Sequence, residues 1–135
     1  MHSRLLLIGL VIGCGGSLPL PAQTAPPADA FVEVPYPPPA ALSEMIPESP
    51  ASDTVWRDGG WVWRGRYYVW ERGGWVRPGK LRFAPWRLRY EPNGQAMFAA
   101  SVWVNEKGEM VRPPPILTPA ITPPNEGTAE FQTGR

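Results

Sequence analysis

Between Val55 and Val76 the chain alternates strong β-formers with glycine-containing turns. Two stretches are near copies at an offset of 14: Trp56-Arg57-Asp58-Gly59-Gly60-Trp61-Val62 and Trp70-Glu71-Arg72-Gly73-Gly74-Trp75-Val76. Each reads W-x-x-G-x-W, and Trp63-Arg64-Gly65-Arg66-Tyr67-Tyr68-Val69 runs between them. The pattern predicts a chain of hairpins. Two-residue turns at Asp58-Gly59, Gly65-Arg66 and Arg72-Gly73 place Trp56 opposite Trp61, Trp61 opposite Trp70, and Trp70 opposite Trp75. Because successive strand residues point to opposite faces, one face then carries Trp56, Trp61, Trp63, Tyr68, Trp70 and Trp75. The other carries Val55, Val62, Val69 and Val76 with Arg57, Arg64, Tyr67 and Glu71. A three-residue loop at any turn breaks the row, since a slip of one residue inverts a strand.

The alternation continues through Trp86-Arg87-Leu88-Arg89-Tyr90 to a strong turn signal at Glu91-Pro92-Asn93-Gly94. Met97 to Val104 reads as the returning strand, and Asn105-Glu106-Lys107-Gly108 turns into Met110-Val111-Arg112. Even-length loops put Trp86, Leu88, Tyr90, Met97, Ala99, Trp103 and Met110 on one face. Gly79 and the Phe83-Ala84-Pro85 corner let this half fold over the first. The expected fold is all-β: a small antiparallel meander of about seven short strands, as a bent sheet, small sandwich or partly open barrel, with disordered Pro-rich tails.

Composition sharpens the boundaries. Of 135 residues, 19 are Pro and 7 are Trp; all seven Trp and only Pro78, Pro85 and Pro92 fall within 54–112. The Trp/Gly-rich β module is therefore assigned to 54–112. Residues 15–53 hold ten Pro, five acids and no Lys or Arg. Pro fixes φ and removes a donor, so this stretch reads as extended polyproline-like chain, with Phe31-Val32-Glu33-Val34 able to dock as an edge strand. At ~3.1 Å per residue it forms a tether of at most ~120 Å. Residues 113–135, opening Pro113-Pro114-Pro115, read as a Pro-rich disordered C-terminal tail. The module carries 11 Lys/Arg against 5 Asp/Glu, so the net charge of +1 hides a basic head on an acidic tether. Scattered cations fit the solvated outside of a sheet as well as they fit an anionic partner.

The first 13 residues are a short basic start and the apolar run Leu5 to Gly13. That run is far shorter than the ~20 residues that span a bilayer and fits a secretory signal. Val11-Ile12-Gly13-Cys14 resembles a bacterial lipobox. The resemblance implies a lipoprotein signal peptide at 1–13 and acylation of Cys14. Residues 14–53 then form the lipid anchor and tether to the membrane. Each buried methylene contributes ~0.8 kcal/mol, so two or three acyl chains anchor stably. By the same resemblance, to the lipoproteins of Gram-negative bacteria, Gly15 after the cysteine implies the outer membrane of the envelope, facing periplasm or surface. His2 leaves with the signal and the one thiol is acylated. No His- or Cys-based catalytic or metal constellation then remains in the mature chain.

The two W-x-x-G-x-W copies resemble the WXXGXW (YXWGXW) repeat lipoproteins of Gram-negative envelopes, which join a lipoprotein signal, a Pro-rich segment and a Trp-Gly block. The resemblance implies an envelope address and no catalytic residues. The expected function is a non-enzymatic, lipid-anchored module, without cofactor, that contacts cell-wall glycan or exported polysaccharide. Trp63, Tyr68 and Trp86 are the candidates to stack on sugar rings. The other reading is a structural or assembly lipoprotein that binds an envelope protein by strand addition. Export argues against nucleic acid as a partner, and nothing in the sequence fixes the oligomeric state. The five module carboxylates sit mostly in or beside turns, unlike the facing pair a glycosidase needs.

Overall fold

The computed structural model describes residues 17–121. It is nearly all β, with one 3-10 turn at Ala28–Ala30. In chain order the strands are β1 (Phe31–Val34), β2 (Val55–Arg57), β3 (Gly60–Trp63), β4 (Tyr68–Glu71), β5 (Gly74–Val76), β6 (Arg82–Ala84), β7 (Arg87–Tyr90), β8 (Ala96–Ala99), β9 (Val102–Val104), β10 (Met110–Val111) and β11 (Thr118–Pro119). They form small antiparallel sheets in the orders β1-β8-β7, β10-β9-β6, β11-β5-β2 and β3-β4, with no closed barrel among the described residues.

The frame is two long hairpins, each broken halfway. In the first, β2 pairs β5 with Trp56 opposite Trp75, and β3 pairs β4 with Trp61 opposite Trp70. One register runs through both halves: Arg57 faces Gly74 before the break, and Gly60 faces Glu71 after it. Gly65-Arg66 is the turn at the tip, closed by Arg64 N–H donating to the Tyr67 carbonyl at 2.9 Å. Gly65 has φ of 86° and Arg66 a negative φ, so glycine stands at the one position of this turn that needs a positive φ.

The tip turn and the Trp61–Trp70, Val62–Val69 and Trp63–Tyr68 pairs are as the sequence predicts. The flanking turns are not. Asp58-Gly59 and Arg72-Gly73 are the two sides of the break in a single hairpin, and neither glycine has a positive φ. Trp56 therefore pairs with Trp75, and the expected single row becomes two separate Trp pairs. Trp56 and Trp75 form a cluster with Ala120. Trp61 belongs to another, with Val34, Ala96 and Phe98. Val55 and Val76 pack on a third, around Phe83 and Trp103.

The second hairpin repeats the design. β6 pairs β9 (Phe83 opposite Trp103), and β7 pairs β8 (Leu88 opposite Phe98), again in one register. Its break lies at Pro85-Trp86 on one side and Ala100-Ser101 on the other, so the expected Met97–Val104 strand is two strands in two sheets. Its tip is a three-residue loop: Gly94 (φ 85°) donates to the Glu91 carbonyl, and Glu91 pairs with Gln95. The loop after β9 is built the same way around Gly108. Odd loops invert the returning strands. Hence Ala96 and Phe98, not Met97 and Ala99, join Leu88, and Val111, not Met110, packs near Trp103. The two hairpins pack against each other, tip half on tip half and base half on base half.

The largest departure concerns the flanks, which are part of the fold. Residues 17–53 wrap the hairpins as a strap. Pro19 accepts from Trp56 N–H, Ala22 and Thr24 bond Phe83, and β1 pairs β8 along its length. Trp61 Nε1 donates to the Ala40 carbonyl at 3.2 Å, and Trp75 Nε1 to that of Pro47 at 2.8 Å. Extended Pro-rich chain has carbonyls without internal partners, and indole N–H groups are donors without acceptors of their own, so each satisfies the other. At the other end β11 pairs β5, and Ile121 N–H donates to Met45. The boundaries at 53/54 and 112/113 therefore do not separate module from free tail among the described residues. Residues 1–16, with Cys14, and 122–135 lie outside the described residues.

Candidate functional site

The site forms where the two breaks meet. Pairing of the repeat with itself relates its copies by a local two-fold at the first break, which makes Gly59 and Gly73 equivalent. A Cβ on Gly73 would lie 2.6 Å from the Arg57 carbonyl and 2.8 Å from Gly59 N; one on Gly59 would lie 2.7 Å from the Glu71 carbonyl. Close backbone approach, not turn geometry, requires glycine here. Both backbone N–H groups converge on one carboxylate from the strap. Glu44 accepts from Gly59 at 3.1 Å and from Gly73 at 3.0 and 3.1 Å. The duplicated glycine thus builds a small backbone anion nest, and the strap fills it. Beside it Arg57, 5% exposed, donates to the Arg72 carbonyl and to Glu71 Oε1, both at 2.8 Å. Glu71 is half exposed, so this ion pair reaches solvent on its acidic side.

The second break packs onto the first. A Cβ on Gly60 would meet the Trp86 ring at 2.7 Å and Ser101 Oγ at 3.2 Å. Ser101 Oγ accepts from Trp86 N–H at 3.0 Å, which holds the Pro85-Trp86 corner against the Ala100-Ser101 bend. Between the breaks lies a cavity of about 310 Å³. The first hairpin contributes Trp56, Asp58 and Trp70, the second Phe83, Trp86 and Ser101, and the strap Gln23, Glu44 and Ile46. Asp58 Oδ1 accepts from Trp56 Nε1 at 2.9 Å. Trp70 Nε1 is buried and has no hydrogen-bond partner among the described residues. A buried unpaired donor costs about 1–3 kcal/mol.

Of the three stacking candidates, only Trp86 lines this cavity. All three pack around Phe98: Tyr68 with its ring centre 5.2 Å away, Trp86 at 6.1 Å, and Trp63 through Tyr68 at 4.8 Å. Trp63 and Tyr68 are met by Tyr36 of the strap, edge-on at 5.4 and 5.7 Å. Tyr68 donates its hydroxyl to the Tyr36 carbonyl at 2.9 Å, and Tyr36 donates to the Arg66 carbonyl at 2.6 Å. Burial, then the neighbouring phenols of Tyr36 and Tyr90, raises the Tyr68 pKa. The chain's own tyrosine thus occupies the place assigned to a sugar. The sequence reading missed Gln23, Glu44 and Ser101. The Gly-Gly doublet in both repeat copies was the available signal for a close approach, but no spacing pointed to Glu44.

Among the described residues no three His, Cys, Asp or Glu side chains group as metal ligands, and no helix is long and apolar enough to cross a membrane. No protein-family model, no curated protein and no solved structure matches the chain.

Proposed function

We propose that the chain is a non-enzymatic, lipid-anchored module of a bacterial envelope that binds a saccharide of the cell wall or an exported polysaccharide in the cavity between the two breaks. The lipobox-like Val11-Ile12-Gly13-Cys14 supports the address, and the W-x-x-G-x-W repeat is the likeness to envelope repeat lipoproteins. The observation that carries the binding reading is the cavity's lining. One partly exposed indole from each hairpin, Trp70 and Trp86, lies beside a serine, an amide and two carboxylates, while Trp56 and Phe83 are buried. Sugar rings present C–H groups that stack on aromatic faces and hydroxyls that need mixed donors and acceptors. A volume of about 310 Å³ lies at the lower end for small-ligand sites, of the order of one or two sugar rings. Binding rather than hydrolysis is favoured because Glu44 is engaged through both oxygens with backbone N–H groups. A glycosidase needs two carboxyls free to face the scissile bond.

The test is retention of the full chain on purified cell-wall sacculi, followed by competition with the muramidase-released disaccharide fragments. Retention is expected to fall at least tenfold in Trp86→Ala and to remain in Tyr67→Ala at the exposed hairpin tip, with no reducing ends released. Equal retention of the two variants, or none for the parent chain, contradicts the reading.

A further inference from the structure

Two independent features place one end of the molecule against a lipid surface. The first is where the chain enters the fold. Pro19 is already bonded to Trp56, with its carbonyl accepting from that N–H at 2.8 Å. Only four residues lie between it and Cys14, so the five steps span at most about 17 Å. An anchor at Cys14 therefore holds the Trp56–Trp75 end of the molecule at the membrane and does not lift it away.

The second feature is the surface at that end. Three segments bond directly to the Trp56–Trp75 pair, and each displays exposed aliphatic side chains. Leu18 and Leu20 flank Pro19. Met45 lies two residues before Pro47, whose carbonyl holds Trp75 Nε1. Ile116 packs over Gly74, Leu117 N–H donates to the Trp75 carbonyl, and Ile121 bonds Met45. No charged residue occurs in 17–28, 45–47 or 113–121, and the charges that border these segments include Glu48 and the exposed Arg77–Asp53 ion pair at the hairpin base. A soluble face would spend charges here, because contiguous exposed apolar surface is costly in water and marks an interaction site. Ionised groups, conversely, are costly in a bilayer.

We propose that this uncharged aliphatic rim, formed by both flanks around Trp56 and Trp75, docks on the bilayer that holds the acylated Cys14. The inference rests on the lipid-anchor reading above. It replaces a module raised on a long tether with one lying on the membrane, its Gly65-Arg66 tip roughly 30 Å away along the first hairpin.

The full chain, purified with its acyl group, is reconstituted in vesicles of phosphatidylethanolamine and phosphatidylglycerol. With Cys14 acylated, an introduced thiol is the sole labelling site. An environment-sensitive fluorophore is placed at Leu117→Cys or at Tyr67→Cys, and quenching by bromine-labelled acyl chains is compared. Quenching is expected to be at least threefold stronger at position 117 than at 67, and the difference to vanish in a Leu18→Ser, Leu20→Ser variant that keeps the acyl mass. Equal, weak quenching at both positions of an acylated chain overturns the docking alone. A mass spectrum without diacylglycerol on Cys14 overturns the anchor reading and the docking with it. A label at 117 shielded equally in detergent, with the mass of a dimer by light scattering, assigns the rim to a second copy and also overturns the proposal.

Discussion

The two tryptophan pairs of the first hairpin come from the same motif, in the same register, with nearly the same geometry. Trp56 and Trp75 meet edge-to-face at 5.6 Å and 72°; Trp61 and Trp70 do so at 5.1 Å and 78°. Such pairs each contribute about 0.5–1.5 kcal/mol beyond area burial. Their surroundings set them apart. At the first pair both rings are buried and both N–H groups are bonded, one to Asp58 and one to Pro47. At the second, Trp61 is bonded to Ala40, whereas Trp70 is only half-buried, lines the cavity, and leaves its N–H unpaired. A duplicated sequence therefore specifies both pairs, and three of the four indoles are buried with bonded N–H groups while Trp70 alone of the four is left half-buried with its N–H unpaired.

The largest expected effect separates the pairs by stability. Trp75→Ala should cost about 3–5 kcal/mol in urea unfolding, as for fully buried aromatic truncations. Trp70→Phe, which removes the unpaired N–H, should stay within about 1 kcal/mol of the parent. Equal losses would erase the distinction. Next comes the glycine between the pairs. Gly73→Ala forces a Cβ against the Arg57 carbonyl and should cost about 1–3 kcal/mol. Gly65→Ala meets open space and pays only for its positive φ, about 1 kcal/mol. If Gly65→Ala proved the costlier of the two, close approach at the break would not be the reason for the Gly-Gly doublet.

Glu44→Gln keeps the shape of the plug and removes its charge. Charge-assisted bonds are roughly twice as strong as neutral ones, so a loss of about 1–2 kcal/mol is expected. Amide exchange measured at Gly59 and Gly73 should rise together. An increase at one alone would deny that a single carboxylate serves both copies. The smallest effect is alkaline. Tyr68 holds its proton more tightly folded than unfolded, because its folded pKa is raised above the ordinary value of 10.0. Its contribution is complete below about pH 10 and is lost as pH rises through the raised folded value. Tyr68→Phe should flatten the part of the alkaline unfolding curve that Tyr68 contributes; an unchanged slope would place its ionisation outside the folding equilibrium.

The tip of the first hairpin was legible because Gly65-Arg66 is a local instruction: a positive φ at one glycine fixes the turn and with it the Trp61–Trp70 register. The outer pair was not legible, because Gly59 and Gly73 look like turn glycines and are needed for space. In the second hairpin Asn93-Gly94 identifies a turn but not whether the loop has two or three residues, and that single residue decides whether Met97 or Phe98 faces Leu88. Apart from Phe31–Val34, which docks as the edge strand its alternation predicts, the strap was hidden for a tertiary reason. Prolines forbid ladder pairing within the segment, yet their unpaired carbonyls are what the indoles of Trp61 and Trp75 use. Trp86 was named from the sequence as a stacking candidate and does line the cavity. Glu44 carried no signal, since its two partners are backbone groups far along the chain.

The most direct measurement follows the indole N–H resonances of the full chain by nitrogen-15 NMR during titration with muramidase-released cell-wall disaccharide. Trp70 and Trp86, which line the cavity, should shift progressively, while Trp75 and Trp103 stay within line width. Unmoved Trp70 and Trp86 signals at saturating ligand, or equal shifts at Trp75 and Trp103, would contradict a saccharide site between the two breaks.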